Sequence, residues 1–160
     1  MGFLRSSLVF LWMALTVIPL ASLIILATPF SNADARWWYI ARPWLRGAIG
    51  AVRLIGRVDY TVSGEEWLPD SNDNQRIILC PKHQSTWETF FFASRMPHPL
   101  AYVFKRELLF IPFFGWAMAC LKMIHIDRSA RGEAWNKVAS LGERLMDRGK
   151  WVIMFPEGTR

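Results

Sequence analysis

The residues of this chain best suited to chemistry lie in Lys82-His83-Gln84-Ser85-Thr86-Trp87-Glu88. A neutral imidazole can take a proton near pH 7, and a carboxylate on its other nitrogen fixes the tautomer and stabilises the charge that develops. The preceding run Ile77-Ile78-Leu79-Cys80 is short and apolar enough for a buried strand, and Thr89-Phe90-Phe91-Phe92-Ala93-Ser94 reads as a buried helix. A strand that turns into a helix places its connecting residues at the C-terminal edge of a sheet, where α/β proteins bind ligands. Glu88 falls five positions after His83, about one turn into a helix that starts near Ser85, so the two side chains can meet. The same atoms have a second reading. Ser85-x-x-Glu88 is a capping box, with Ser85 as N-cap and Glu88 reaching back from the third helical position. The two roles are compatible, and His-x4-Glu alone specifies little.

The surrounding elements supply the context. Alternation and β-branched content predict strands over 58–62, 76–80, 100–104, 123–126 and 151–155. Helical periodicity covers 87–94 and 133–148, the latter through Val138, Leu141 and Leu145 with Gly149 as its stop. Residues 117–121 follow the apolar turn Ile111-Pro112-Phe113-Phe114-Gly115-Trp116. The order predicts an α/β fold with a mostly parallel or mixed sheet flanked by helices. Three strands then end in polar groups, His83 with Glu88, Asp127 with Arg128, and Glu157 with Arg160, and Lys105 ends a fourth. Each alone reads as a solvated strand end; together they assemble a base, its carboxylate and several cations at one sheet edge. His98, between two prolines, reads as a loop histidine, and His125 as a core or sheet-edge residue.

The front of the chain is different. Residues 8–30 are 23 positions without a charge, about 35 Å as a helix and enough to cross a bilayer core. Pro19 can kink this helix or turn it into a re-entrant hairpin. Residues 36–56 carry Trp37, Trp38, Tyr39 and Trp44 with Arg42, Arg46 and Arg53 near helical spacing, the pattern of an interfacial helix with guanidiniums toward lipid phosphates. A helix packed on the globular domain is the alternative. Two domains are expected: 1–57, a membrane-spanning or re-entrant segment plus an interfacial amphipathic helix, and 58–160, the α/β domain. The excess of arginines after the apolar run puts the second on the cytoplasmic side. A formal charge of +6 with nine Trp and eleven Phe suits anionic lipid or phosphorylated substrates. Cys80 and Cys120 read as reduced core thiols without metal-ligand spacing, with a Cys80–His83 nucleophilic pair as the alternative chemistry.

His83-x4-Glu88, Ile126-Asp127-Arg128, Lys105-Arg106-Glu107-Leu108 before Ile111-Pro112-Phe113-Phe114-Gly115, and Phe155-Pro156-Glu157-Gly158-Thr159-Arg160 resemble the glycerolipid acyltransferases, most nearly the bacterial 1-acyl-sn-glycerol-3-phosphate acyltransferases. The resemblance runs from about residue 58 to the end, and the hexapeptide is its most specific part. It implies transfer of an acyl group from acyl-CoA or acyl carrier protein to the sn-2 hydroxyl of lysophosphatidic acid at the cytoplasmic face of the inner membrane. His83 would be the base and Glu88 its orienting carboxylate. Lys105, Arg128 and Arg160 would meet the substrate phosphate, and Glu157, Gly158 and Thr159 would shape the acceptor pocket. No metal, cofactor or nucleic acid is implied. The chain departs from the family where Glu88 replaces Asp, Lys82 replaces Asn, and Lys122 and His125 replace Gly and Phe. The family continues beyond Arg160 with further strands and a proline-containing block, so a C-terminally truncated fragment is expected. The alternatives are another lysolipid acceptor, such as a lyso-ornithine lipid, and a membrane-anchored relative without turnover.

Overall fold

The computed structural model describes residues 2–70, 75–127 and 131–157. Four strands, β1 (Ile78–Leu79), β2 (Leu100–Lys105), β3 (Ile124–Ile126) and β4 (Trp151–Ile153), form one sheet in the order β1-β4-β2-β3. All three pairings are parallel, with Leu79 opposite Ile153, Leu100 opposite Trp151 and Lys105 opposite Ile126. The expected α/β class is therefore realised, as a parallel sheet.

Side-chain alternation along the strands divides the core into two layers. Leu100, Tyr102, Phe104, Trp151 and Ile153 face one side, against α4 (Trp87–Arg95), α5 (Phe114–Cys120) and the N-terminal helices. Ala101, Val152 and Ile124 face the other, against Val138, Leu141 and Leu145 of α6 (Arg131–Met146). This follows from strand order. The connections from β1 to β2 and from β2 to β3 advance in one direction across the sheet, whereas β3 to β4 returns, and right-handed crossovers then put the returning helix on the opposite face.

Helix α1 (Gly2–Leu26) runs unbroken through Pro19 and turns back over 27–32. Asn32 caps α2 (Ala33–Arg36) by accepting from the Ala35 N–H at 2.8 Å, and a π-helical turn (Trp37–Ala41) leads into α3 (Arg42–Leu54). The wider turn falls immediately before Pro43, which has no N–H to continue the ordinary ladder. α3 packs back along α1, with Trp44 Nε1 donating to Thr16 Oγ1 at 2.8 Å and Trp12 against Gly47. Most of the outer face of α1 is exposed and apolar, from Phe3 and Leu4 to Leu23 and Leu26. It is long and apolar enough to cross a membrane, which is consistent with membrane association.

Arginines of this segment reach backbone carbonyls of the sheet domain, while Arg53 stays exposed beside Asp59. Arg42 donates to the carbonyls of Ser94 and Met96, Arg46 also donates to Ser94, and Arg42 lies over the Trp38 ring at 4.3 Å. These carbonyls are the unpaired acceptors at the end of α4, the negative pole of that helix. Arg36, only 3% exposed, donates to the carbonyls of Ser31 and Cys120. Lys150, at the start of β4, is held by Asp34 at 2.8 Å. Arg36, Arg42, Arg46 and Lys150 thus tie α2 and α3 to the sheet domain.

Residues 58–62 form no strand. Tyr60 instead sets its ring edge-on to Trp87 and Phe91, while Val58 and Val62 are exposed and Asp59 pairs with Arg53. The alternation reported a strap over α4, not a sheet partner. Gly115 explains the tight turn after β2, since a Cβ there would run into the carbonyl oxygens of Leu108 and Leu109.

Replacing Arg36 by alanine removes charge-assisted hydrogen bonds, worth about 1.5–3 kcal/mol each, and leaves buried carbonyls unpaired. The expected outcome is a loss of about 2–4 kcal/mol in unfolding free energy, measured by denaturant titration of the detergent-solubilised chain, with Arg36→Lys recovering only part of it.

Candidate active site

β1 and β4 are neighbours, so the loops that leave them meet at the C-terminal edge of the sheet. His83, four residues beyond β1, stacks on Phe155, two residues beyond β4, with ring centroids 4.1 Å apart. The His83 N–H donates to Glu157 Oε2 at 3.4 Å. Its Nδ1 lies 3.3 Å from Glu88 Oε1, with both side chains mostly buried. The angle of that contact falls short of a formed hydrogen bond, an alignment that catalytic pairs commonly complete only when substrate is bound.

Glu88 is held from several directions. The Ser85 hydroxyl and the backbone N–H groups of Gln84 and Ser85 donate to its carboxylate, and the Trp87 N–H donates to Ser85 Oγ at 3.2 Å. Half of the expected capping box is formed: Glu88 accepts from the Ser85 N–H, but the N-cap of α4 is Thr86 and not Ser85, because the helix begins at Trp87. The same carboxylate faces His83. Burial by itself would raise the Glu88 pKa. Donation from the Ser85 hydroxyl, with backbone donation at Ser85, Glu88 and Gln84, outweighs it and lowers the value from 4.5 to about 2. An anion at the first turn of α4 also complements that helix's positive pole.

Among the sequence-predicted residues, the structure brings together His83, Glu88 and Glu157. Lys105 is exposed at the end of β2, on the same edge and about 10 Å from β1 by strand spacing. Arg128, Gly158, Thr159 and Arg160 lie outside the described residues. Cys80 is exposed and so departs from the expected core placement, whereas Cys120 is half-buried. His98 is more than a loop residue: it is buried, with Nδ1 3.0 Å from the Gly149 carbonyl and its ring on Trp151. His125 sits on edge strand β3, as expected. Two contributors were not assigned site roles from the sequence. Phe155 backs the imidazole, and Ser85 holds the carboxylate through its hydroxyl. The capping-box spacing was the available signal for Ser85, and the hexapeptide that begins at Phe155 was the one for Phe155. A cavity of about 800 Å³ at the far end of α4, lined by Arg46, Arg53, Tyr60, Glu65 and Arg95, has none of these site residues in its wall.

A histidine and a carboxylate at the strand ends of a parallel sheet, backed by a Phe-Pro-Glu turn, form a site able to hold and move a proton. The acyltransferase family profile matches residues 59–160. The chain belongs to that family. It is 39% identical over 157 residues to a 1-acyl-sn-glycerol-3-phosphate acyltransferase of Pseudomonas aeruginosa, covering 98% of this chain and 59% of the relative. It is 30% identical to the enzyme of that name from Saccharomyces cerevisiae, covering 85% of this chain and 42% of the relative. The Haemophilus influenzae protein of that name is 31% identical, covering 68% and 46%. The chain thus spans about three fifths or less of these relatives' lengths. No solved structure matches.

Because the Glu88 pKa is lowered on folding, its contribution to stability is complete above its unfolded value of 4.5 and is lost as pH falls toward about 2. The stability difference between wild type and Glu88→Gln should be constant above about pH 5.5 and shrink between about pH 4.5 and 2. Denaturation midpoints across that range check the sign.

Proposed function

We propose that the protein transfers a fatty acyl group from a thioester donor, acyl-CoA or acyl carrier protein, to the sn-2 hydroxyl of lysophosphatidic acid, forming phosphatidic acid. The observation that carries this reading is the Nδ1–Oε1 approach of His83 and Glu88 at 3.3 Å beside Glu157. The names of the similar proteins support the choice of acceptor.

An alcohol is too weakly acidic to ionise at neutral pH, so its proton must leave as the new C–O bond forms. With Nδ1–H turned to Glu88, Nε2 of His83 takes the hydroxyl proton while the oxygen attacks the thioester carbonyl. The tetrahedral adduct collapses with cleavage of the C–S bond, and the imidazolium returns the proton to the departing thiolate. Glu88 stays ionised throughout and stabilises the imidazolium. Glu157 fixes the His83 backbone. Lys105, Arg128 and Arg160 meet the acceptor phosphate, and Glu157, Gly158 and Thr159 form the wall around it. The reaction needs no metal or cofactor beyond the donor. Catalysis takes place at the cytoplasmic face of the inner membrane, an orientation supported by the arginines that follow α1.

The test is phosphatidic acid formation by the detergent-solubilised full chain, given lysophosphatidic acid and palmitoyl-CoA. His83→Ala should abolish turnover, and Glu88→Gln should lower kcat by about 10²–10⁴-fold. Full activity of His83→Ala would overturn the assignment of the base. Equal rates with an acceptor lacking phosphate would overturn the choice of acceptor.

A further inference from the structure

Residues 108–121 are fourteen positions without a charge. An apolar run of about 10–14 residues is too short to span a bilayer and belongs either in a protein core or at a lipid interface. Burial separates the two here. The 3₁₀ turn Arg106–Phe110 contains no buried residue, and α5 buries only Gly115 and Ala117. Phe110 is 74% exposed, Ile111 45%, Phe113 37% and Trp116 50%. Packing on the core explains the inner side of this segment and leaves its outer side unexplained. That outer side is tightly built. The Phe114 N–H donates to the Pro112 carbonyl at 2.7 Å with Phe113 at φ 62° and ψ −58°, a γ-turn of the hand that strains any residue with a side chain. Such strain persists where the surroundings enforce it, and it gathers at functional sites. Here the strained turn leaves the Phe113 ring at the surface, 5.6 Å from that of Trp116.

The neighbouring helix says what covers this surface. α5 packs directly on α1, with Ala117 and Leu121 in one core cluster with Ala21 and Ile24. Arg36 ties the end of α5 to the turn after α1 by donating to the carbonyls of Cys120 and Ser31. The outer face of α1 is apolar and exposed, with Leu15, Ile18, Leu23 and Leu26 uncovered. The two open apolar surfaces thus belong to adjoining helices, and a bilayer that covers one reaches the other. Phenylalanine and tryptophan rings are also the side chains that settle at the boundary between headgroups and acyl chains. We propose that Phe110, Ile111, Phe113 and Trp116 form a second lipid contact, entering the interfacial layer of the bilayer beside α1. The depth is about 5–10 Å, that of other interfacial segments. This contact is independent of the acyl-transfer reading and holds whatever reaction His83 serves.

Depth-dependent quenching tests it. Phe110→Cys and Trp116→Cys, each in a full chain that also carries Cys80→Ser and Cys120→Ala, take a nitrobenzoxadiazole probe at exposed positions. The labelled chains are reconstituted in vesicles of phosphatidylethanolamine and phosphatidylglycerol with spin-labelled acyl chains. Leu15→Cys on α1 and Ala139→Cys on α6 are the references, since both positions are exposed and α6 lies on the opposite face of the sheet. Probes at 110 and 116 should be quenched at least about threefold more than the probe at 139, and more by a label near the ester groups than by one near the chain end. Quenching at 15 with no more at 110 and 116 than at 139 overturns the proposal, because α1 alone then touches lipid. Absence of quenching at 15 as well overturns it, because the continuity with α1 is lost. Fluorescence at 110 that shifts to the blue with protein density and ignores the spin labels also overturns it, in favour of a second copy of the chain on this surface.

Discussion

The geometry of the site depends on a single carboxylate. Glu88 satisfies the backbone donors that open α4, accepts from the Ser85 hydroxyl, and faces the Nδ1 of His83. An anion with that many donors is held in its charged form and in one position, so the imidazole meets a fixed partner. Phe155 and Glu157 then lock the other side of His83 from the neighbouring strand. The constellation exists only because β1 and β4 are adjacent, although more than seventy residues separate them in sequence.

A second set of charges works at the opposite end of α4. Arg42 and Arg46 supply the donors that its final carbonyls lack, and Arg36 reaches the chain just before β3. Tryptophan, arginine and small residues thus bind α1–α3 to the sheet while α1 keeps an apolar outer face. The sheet domain and the apolar helix are thereby joined through α2 and α3.

Patterns with local causes were legible from the residues. Period-2 apolar runs identified the four paired strands to within a residue or two at most ends, and the helical period located α4 and α6. The capping-box spacing predicted the Ser85–Glu88 contact. What misled was chemistry that is ambiguous until a partner is known. The alternation at 58–62 belonged to a strap carrying Tyr60, because the same pattern serves any surface with one buried side. Arg42 and Arg46, read from their spacing as suited to lipid phosphates, donate to carbonyls, since a guanidinium suits both. Cys80 sits in an apolar run, yet β1 is an edge strand and leaves it exposed.

By itself the sequence determined the residue types for proton transfer, the apolar length of α1 and the order of strands and helices, because each follows from neighbours within one or two turns. Tertiary structure alone decided that β4 inserts between β1 and β2, that His83 stacks on Phe155, and that Arg36 and Arg42 turn inward. Those outcomes depend on which surfaces, distant along the chain, compete to bury one another. No local period encodes that competition; burial and the pairing of polar groups resolve it only when the whole chain is packed.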